Sequence, residues 1–148
     1  ADILAMHQDT PAVIQTAKAH GKLAIGYHSD MSRYAPETFL TAPVWNWESY
    51  YKHVATTVYD GTWKPSNDMW GMKEGTVALA PFGPKVTDEI KALVEEKQAE
   101  IINGTLFPFQ GPVIDQAGDV RIPEGHIATT EEEQHMDYFV KGVIGRIN

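Results

Sequence analysis

Two short apolar runs near the start of the chain, separated by a helix-like stretch, limit the possible folds more than any other feature. The runs cover residues 3–7 and 22–27 and have the length of buried strands. Between them, Thr10 and Pro11 suit the first positions of a helix, and Gly21 suits the position just after its end. A strand, a helix and a second strand in this order predict a β-α-β unit with parallel strands and a right-handed crossover.

Strands and helices continue to alternate along most of the remaining chain. Residues 39–42 and 76–80 are predicted strands, because short apolar runs are bounded there by Pro or Gly. Asn46 is placed to cap a helix that runs to about residue 59, and Thr87 is placed to cap the longest helix. Alternating elements of this kind predict an α/β protein whose largely parallel sheet is flanked by helices.

The last part of the chain predicts a long helix, a hairpin and a final helix. We expect the long helix after Thr87 to bury an apolar stripe formed by Ile90, Leu93, Val94 and Ile101. Residues 115–119 predict a hairpin turn, and Thr130 and Glu133 are spaced as a capping box. The apolar residues that predict the final helix are Met136, Phe139, Val140, Val143, Ile144 and Ile147.

Composition and charge exclude several classes of protein. The 148 residues suffice for one domain with a real core, and we interpret residues 1–148 as a single α/β domain. A net charge of −8 without any basic stretch argues against nucleic acid as a partner, since phosphates are bound by clustered Lys and Arg. No apolar run reaches the ~20 residues of a membrane-spanning helix. Without cysteine, disulfides, thiolate nucleophiles and Cys-ligated zinc are excluded.

No motif in the sequence indicates cofactor binding, hydrolysis or phosphoryl transfer. The G-x-S-x-G, P-loop and G-x-G-x-x-G patterns are all missing. His7 and His28 would lie near each other if their strands are neighbours, but no third ligand stands at metal-binding spacing. The sequence therefore predicts no cofactor, no metal site and no catalytic residue.

Polar side chains follow the first two predicted strands, at the point where each strand ends. Gln8 and Asp9 come after the first strand, and His28 and Asp30 come after the second. Ligands of open parallel sheets bind outside the carboxyl ends of the strands, so these four residues are candidate ligand-binding residues. The two carboxylates could accept hydrogen bonds from sugar hydroxyls or an exocyclic amine. In the structural alternative, Asp9 helps to cap the following helix and Asp30 caps a turn.

Trp45 and Trp47 flank Asn46 at a predicted junction between a strand and a helix. An indole at this place could stack on a flat heterocycle, an interaction that contributes about 1–3 kcal/mol per base. In the alternative, one Trp packs in the core and the other packs on a neighbouring domain. Both are kept as candidate ligand-binding residues.

Five segments, in this order, carry a resemblance to a known family. They are Gly26-Tyr27-His28-Ser29-Asp30, Leu40-Thr41-Ala42-Pro43-Val44-Trp45-Asn46-Trp47, Asp60-Gly61-Thr62-Trp63-Lys64, Gly75-Thr76-Val77-Ala78-Leu79-Ala80-Pro81-Phe82 and Gly111-Pro112-Val113-Ile114-Asp115. Together they resemble the C-terminal half of the basic membrane lipoprotein family, of the purine nucleoside receptor type. Members of that family are substrate-binding components of ABC transporters with a type I periplasmic-binding fold.

The resemblance implies that a purine nucleoside, or a nucleobase such as adenine, is captured in a cleft between two α/β lobes and delivered to an ABC permease in the membrane. The chain would be the C-terminal lobe of a longer protein, whose N-terminal lobe and secretion signal lie outside this sequence. The resemblance also implies a periplasmic or extracytoplasmic location, with a lipid anchor at the N-terminus. A binding protein of this kind is not an enzyme and needs no cofactor.

Two positions depart from the family pattern and bear on the ligand. His28 replaces the first aspartate of the common motif Gly-Val-Asp-Ser-Asp, and Trp45 stands where the family commonly has a lysine. An aspartate and a lysine suit the hydrogen bonds of a ribose, whereas a histidine and a tryptophan suit a flat, neutral ring. We therefore expect a preference for a nucleobase such as adenine over a nucleoside.

Two other interpretations stay open. A regulator that senses a ligand would use the same lobe, and an upstream DNA-binding or membrane module would distinguish it. An enzyme domain on a Rossmann-like or flavodoxin-like sheet would need an acid, base or nucleophile beside the strand ends, where His7, His28 and Asp30 are the candidates. Turnover would distinguish the enzyme, because a receptor returns its ligand unchanged.

Overall fold

The computed structural model describes residues 1–146 and divides the chain into two compact units. Unit 1 is Ala1–Asn103, and unit 2 is Gly104–Asn148. Ile147, one of the apolar residues of the predicted final helix, lies outside the described residues. Each unit has its own arrangement of strands and helices.

Unit 1 begins with the predicted β-α-β unit. Its sheet has the order β1-β2-β3, all parallel, and its strands are β1 (Ile3–Ala5), β2 (Leu23–Ile25) and β3 (Phe39–Thr41). Helix α1 (Ala12–Ala19) connects the first two strands. The prediction of an α/β fold with a parallel sheet is confirmed.

Local chemistry at both ends of α1 explains its bounds. The Thr10 hydroxyl accepts a hydrogen bond from the Ala12 amide at 3.1 Å, which satisfies one of the free N–H groups of the first turn. At the other end the Lys22 amide donates to the Ala17 carbonyl, and the Gly21 amide donates to the Lys18 carbonyl. This pair of bonds is a Schellman motif, which requires the positive φ of +64° that Gly21 adopts without steric cost.

The core of unit 1 lies where α1 packs on the parallel sheet, and Phe39 and Ile14 are its largest fully buried side chains. Two glycines allow this packing. A Cβ on Gly26 would lie 2.9 Å from the Phe39 ring, and a Cβ on Gly83 would lie 1.8 Å from the Phe39 carbonyl oxygen. The remaining core residues are Ala17, Ala24, Met31, Ala35, Ala42 and Ala80.

A second, antiparallel pair of strands follows in unit 1. Strand β4 (Pro43–Trp45) pairs with β5 (Val77–Leu79), and helix α2 (Trp47–Tyr59) begins two residues after β4. The sequence predicted β5 and α2 but not β4. Asn46 stands at the predicted N-cap position of α2, but its side chain makes no capping hydrogen bond.

Helix α3 (Asp88–Asn103) has the predicted bounds, and the Thr87 hydroxyl accepts the Ile90 amide at 3.3 Å, as a capping residue should. The predicted buried stripe on this helix is wrong. None of the 16 residues of α3 is buried, and Ile90 and Leu93 are about half exposed. Amphipathic spacing predicts which residues share a face, but only a packing partner can bury that face, and in unit 1 Val94 and Ile101 are no more than partly buried.

Unit 2 is built around a buried carboxylate. Strands β6 (Val113–Ile114) and β7 (Val120–Ile122) form the predicted hairpin. Asp115 in its turn is 4% exposed and accepts hydrogen bonds from the amides of Ala117 and Asp119 and, at 2.7 Å, from Nε of Arg121. The Arg121 guanidinium, helped by the two amides, lowers the pKa of Asp115 below its ordinary value although burial opposes this.

The predicted final helix is wrong in both its start and its length. Helix α4 (Thr130–Gln134) begins with a capping box made by Thr129 and Glu132, one residue earlier than predicted for Thr130 and Glu133. Residues 136–146 are not helical. They lie alongside the hairpin instead: the Lys141 amide donates to the Ile114 carbonyl, and the Gln116 amide donates to the Phe139 carbonyl.

Candidate functional site

The carboxyl ends of β1 and β2 bring two aromatic side chains together. Ala5 pairs with Ile25 in the parallel register, so residues two positions further along the two strands also lie side by side. The ring centroids of His7 and Tyr27 are accordingly 4.2 Å apart. The sequence placed His7 beside His28, and the structure places it beside Tyr27 instead.

His28 has a backbone conformation that directs it toward the second strand pair. Its φ of +72° makes it the one non-glycine residue with a positive φ among residues 1–146. Such a conformation costs energy, and it persists only where the surrounding structure holds it, often at binding sites. Here the His28 carbonyl accepts the Trp45 amide at 3.3 Å, and His28 forms a parallel bridge with Val44.

Trp45 lies at the centre of the aromatic side chains at this end of the sheet. Its ring centroid is 6.3 Å from that of Tyr27, in an edge-on arrangement, and 6.5 Å from those of both His28 and Trp47. Edge-on and tilted pairs at these distances are the favoured geometries of aromatic side chains. Tyr27 belongs to this group because the turn at His28 ends the alternation of faces that holds in an extended strand.

One face of Trp45 lines a pocket of about 320 Å³, which we call the aromatic pocket. Strand β4 contributes Trp45, the first turn of α2 contributes two aromatic residues, and the segment between α2 and β5 contributes the rest. The aromatic pocket is lined by Trp45, Trp47, Tyr50, Asp68, Met69, Trp70 and Thr76. Its volume lies at the lower end of the range of roughly 300–1,000 Å³ for small-molecule sites.

Asp68 is held in place by two hydroxyl groups at the edge of the aromatic pocket. Its Oδ2 accepts hydrogen bonds from Tyr50 Oη at 3.1 Å and from Ser66 Oγ at 2.9 Å. The bond to Asp68 raises the pKa of Tyr50, so the phenol keeps its proton and stays a donor at neutral pH. No donor among residues 1–146 bonds to the second oxygen, Oδ1.

Thr76 is the other polar side chain of the aromatic pocket. The residue is 4% exposed, and its Oγ1 has no hydrogen-bond partner within the described part of the chain. Its backbone is fully used, because its amide donates to Gly71 and its carbonyl accepts from Asn46. A buried hydroxyl without a partner is unusual in folded proteins and calls for a partner such as a ligand or water.

The structure brings only some of the predicted site residues together. His28, Trp45 and Trp47 form one chain of ring contacts. Asp30 accepts the Ser32 amide at 2.9 Å, which is the turn-capping alternative, and its second oxygen receives no bond from residues 1–146. Gln8 and Asp9 lie in an exposed bend, where their side chains make no hydrogen bond to the described residues.

Five residues that line the aromatic pocket were not predicted from the sequence: Tyr50, Asp68, Met69, Trp70 and Thr76. A weak signal was present, since residues 63–75 are rich in Trp, Met and Gly, which is unusual for a solvated loop. The described residues contain no cluster of three His, Cys, Asp or Glu side chains that could hold a metal ion. They also include no helix long and apolar enough to cross a membrane.

Comparison with known proteins identifies one family and several relatives. A model of the Bmp family, described as ABC transporter substrate-binding protein PnrA-like, matches residues 1–107. A purine-binding protein of Brucella abortus (strain 2308) is 44% identical over 142 residues, which are 96% of this chain and 40% of that protein. A Haloferax volcanii protein, provisionally named an ABC transporter glucose-binding protein, is 28% identical over 99% of this chain and 35% of its own length.

A solved structure shares the fold. A transcriptional activator of the comK gene from Bacillus halodurans superposes with a TM-score of 0.66 and 26% sequence identity. The match covers 73% of this chain and 39% of that one. The chain thus spans less than half the length of each of these relatives.

Proposed function

The chain belongs to the Bmp family of PnrA-like ABC transporter substrate-binding proteins, as its sequence motifs predicted, and on this premise we propose that it helps to capture a purine for transport. The ligand is a purine nucleobase or nucleoside, with adenine as the first candidate. The partner is an ABC permease in the membrane. The protein works outside the cytoplasm, in the periplasm or attached to the membrane by a lipid anchor.

We place the chain in a two-lobed protein, as one of its lobes. The chain covers 40% and 35% of the lengths of its two relatives, which leaves room for a second lobe of comparable size. In this proposal the chain is the C-terminal lobe, and the ligand lies in the cleft that both lobes line. Because half a cleft loses about half of the contacts, the isolated chain should bind its ligand more weakly than the full-length protein.

The observation that carries this proposal is the gathering of three aromatic rings, in which Tyr27 and His28 follow the parallel strand β2 and Trp45 comes from β4. Aromatic faces favour a flat ring, and the strained backbone of His28 indicates a residue positioned for a task other than stability. Trp45 stacks on the base, and Trp47 extends this surface. Gln8, Asp9 and Asp30 are the candidate polar residues at the neighbouring strand ends.

The names of the relatives support a purine more than a sugar. The Brucella abortus protein named as purine-binding is 44% identical, whereas the Haloferax volcanii protein named for glucose is 28% identical. A receptor of this kind binds and releases its ligand unchanged, so the proposal assigns no catalytic residue and no cofactor. A metal ion is not part of it either.

A ligand-sensing regulator is the second candidate, and one observation favours it. The superposed Bacillus halodurans structure is named as a transcriptional activator, so the same lobe occurs in a regulator. Deleting the gene separates the two functions. Loss of adenine uptake with unchanged transcription indicates a transporter component, and changed transcription with unchanged uptake indicates a regulator.

Isothermal titration of the full-length protein with adenine, adenosine, hypoxanthine and glucose tests the proposal. We expect adenine to bind with the lowest Kd and glucose to give no heat of binding. Adenosine binding more tightly than adenine would reject the preference for a base. Glucose binding in the absence of any purine binding would reject the purine altogether.

A further inference from the structure

We propose that the aromatic pocket holds the purine base, and that Asp68 and Thr76 select a base that carries an exocyclic amino group. This inference rests on the proposed function, because it assigns the position and the recognised edge of a purine ligand. It adds residues to the site that neither the sequence motifs nor the strand ends indicated.

The walls of the aromatic pocket suit a flat, conjugated ligand. Trp45, Tyr50 and Trp70 are partly buried, and the rings of Tyr50 and Trp70 meet edge-on at 5.1 Å, which fixes their faces. Trp47 and Met69 are 47% and 63% exposed and form an open rim through which a ligand can enter. A base between such faces gains stacking and hydrophobic contact at the same time.

Thr76 provides the strongest indication that something polar binds here. Thr76 is one of the residues that line the aromatic pocket and is 4% exposed, yet its buried hydroxyl has no partner within residues 1–146. Leaving a buried hydroxyl unpaired destabilises a protein, and a ring nitrogen or amino group of a base would remove that cost. Thr38 has the second such hydroxyl, and it does not line this pocket.

Asp68 determines which edge of a base is accepted. Tyr50 and Ser66 both donate to Oδ2, so the carboxylate is oriented before a ligand arrives, and Oδ1 is left to accept from that ligand. Adenine presents an amino group that donates hydrogen bonds. Hypoxanthine presents a carbonyl oxygen at the same ring position, which would face a carboxylate oxygen and be repelled. Asp68 therefore favours adenine over hypoxanthine.

Titration of three variants of the full-length protein with adenine and hypoxanthine tests this selection. We expect Asp68→Asn to weaken adenine binding about tenfold and to reduce the preference for adenine over hypoxanthine, since an amide can also donate to a carbonyl. Thr76→Val keeps the shape and removes the hydroxyl, and it should also weaken adenine binding. Thr38→Val removes the matched hydroxyl outside the pocket and should leave Kd unchanged.

Tryptophan fluorescence gives an independent reading of where the base sits. Three of the four tryptophans line the aromatic pocket, and the fourth, Trp63, does not. Adenine should therefore change the emission of the wild-type protein, Trp63→Phe should keep that change, and Trp70→Phe should reduce it. Circular dichroism of each variant confirms that it is folded.

The outcomes separate this inference from the proposed function. If the wild-type protein binds no purine, the proposed function itself is rejected. If it binds adenine, and both Asp68→Asn and Trp70→Phe bind adenine as the wild type does, the aromatic pocket is not the site of the base although the receptor function stands. An unchanged preference for adenine in a folded Asp68→Asn variant would reject selection by Asp68.

Discussion

The two units of the chain have different groups at their centres. In unit 1 the buried side chains are apolar except that of Thr76, and Phe39 and Ile14 are fully enclosed between helix and sheet. In unit 2 the centre of the hairpin is Asp115, whose carboxylate collects two backbone amides and an arginine. Apolar burial does not depend on pH, whereas a network of hydrogen bonds to a carboxylate does. The two units should therefore respond differently to cavities and to acid.

The units also differ in the family match and in the character of their cavities. The family model matches residues 1–107, which is nearly unit 1 alone, and the aromatic pocket belongs to unit 1 as well. The cavity of about 360 Å³ in unit 2 is lined by charged groups such as Asp115, Arg121 and Asp137. Asp115 and Arg121 already bond to each other there, at 2.7 Å. An apolar core therefore supports the residues of the aromatic pocket, whereas polar bonds shape the hairpin of unit 2.

The largest effect should come from a cavity in unit 1. Phe39→Ala removes a fully buried ring, and we expect the free energy of unfolding to fall by about 3–5 kcal/mol. Urea denaturation followed by circular dichroism measures the loss. Tyr59, which is 91% exposed, serves as the control, and Tyr59→Ala should have little effect. A loss below about 1 kcal/mol for Phe39→Ala would contradict an apolar core at this position.

Overfilling the same core should have the next largest effect. Gly83→Ala would place a methyl carbon 1.8 Å from the Phe39 carbonyl oxygen, so the backbone must move. We expect a loss of about 1–3 kcal/mol in the free energy of unfolding, measured in the same way. A Cβ on Gly71 would meet nothing closer than 3.9 Å, so Gly71→Ala is the matched control and should change stability little. Equal stabilities for the two variants would refute the close approach.

Low pH should reduce the stability of unit 2 through two of its carboxylates. The Thr129 amide, followed by His126 and the Thr129 hydroxyl, lowers the pKa of Glu132 to about 2, and Arg121 lowers that of Asp115. A carboxylate whose pKa is lower in the folded than in the unfolded state stabilises the fold at pH values above its unfolded-state pKa. This stabilisation is lost as the pH falls through the range between the two pKa values. For Glu132 the loss should run from its ordinary pKa of 4.5 down to about 2.

Thermal unfolding between pH 7 and pH 2 measures this dependence. Glu132→Gln and Asp115→Asn should each lower Tm at neutral pH and flatten the fall of Tm below about pH 4.5, since the titrating group is gone. Glu133→Gln is the matched control on the same helix and should keep the wild-type profile. Identical acid profiles for the wild type and Glu132→Gln would show that the carboxylate of Glu132 does not stabilise the fold.

The smallest predicted effect separates two neighbouring threonines in unit 2. Thr129 caps α4, so Thr129→Ala should lower the free energy of unfolding by about 1 kcal/mol. Thr130 lies inside the helix, and Thr130→Ala should change stability by a few tenths at most. Chemical denaturation of the two variants side by side is the measurement. A larger loss of stability for Thr130→Ala than for Thr129→Ala would indicate that Thr130 caps the helix, as the sequence pattern predicted.

Elements specified by neighbouring residues could be predicted from the sequence. The Schellman motif at Gly21 and the hairpin turn at residues 115–119 depend on contacts within a few positions, and both are found where expected. The parallel pairing of β1 and β2 could also be predicted, because a helix of this length leaves a parallel crossover as the simple connection. Even so, the capping box begins one residue earlier than predicted, since either of two adjacent threonines fits the pattern.

Properties that depend on a distant partner could not be predicted. The apolar face of α3 is spaced as predicted, but none of its residues is buried. Residues 136–146 have the apolar spacing of a helix but instead form backbone hydrogen bonds with the hairpin. Alternation along an extended strand would put Tyr27 and His28 on opposite faces, but the positive φ of His28 ends it, and the two ring centroids lie 6.0 Å apart. In each case a tertiary contact or its absence, rather than local preference, decided the outcome.

The amino-acid sequence by itself determined the β-α-β start and most helix bounds, because these follow from the order and spacing of nearby residues, and the resemblance of its ordered segments indicated the family. Only the tertiary structure decided that Trp45 and Trp70 line one pocket, and that Asp68 and Thr76 stand at its polar positions. These residues come from β4 and from the segment between α2 and β5. Their meeting depends on the antiparallel pairing of β4 with β5, a long-range contact that no local pattern encodes.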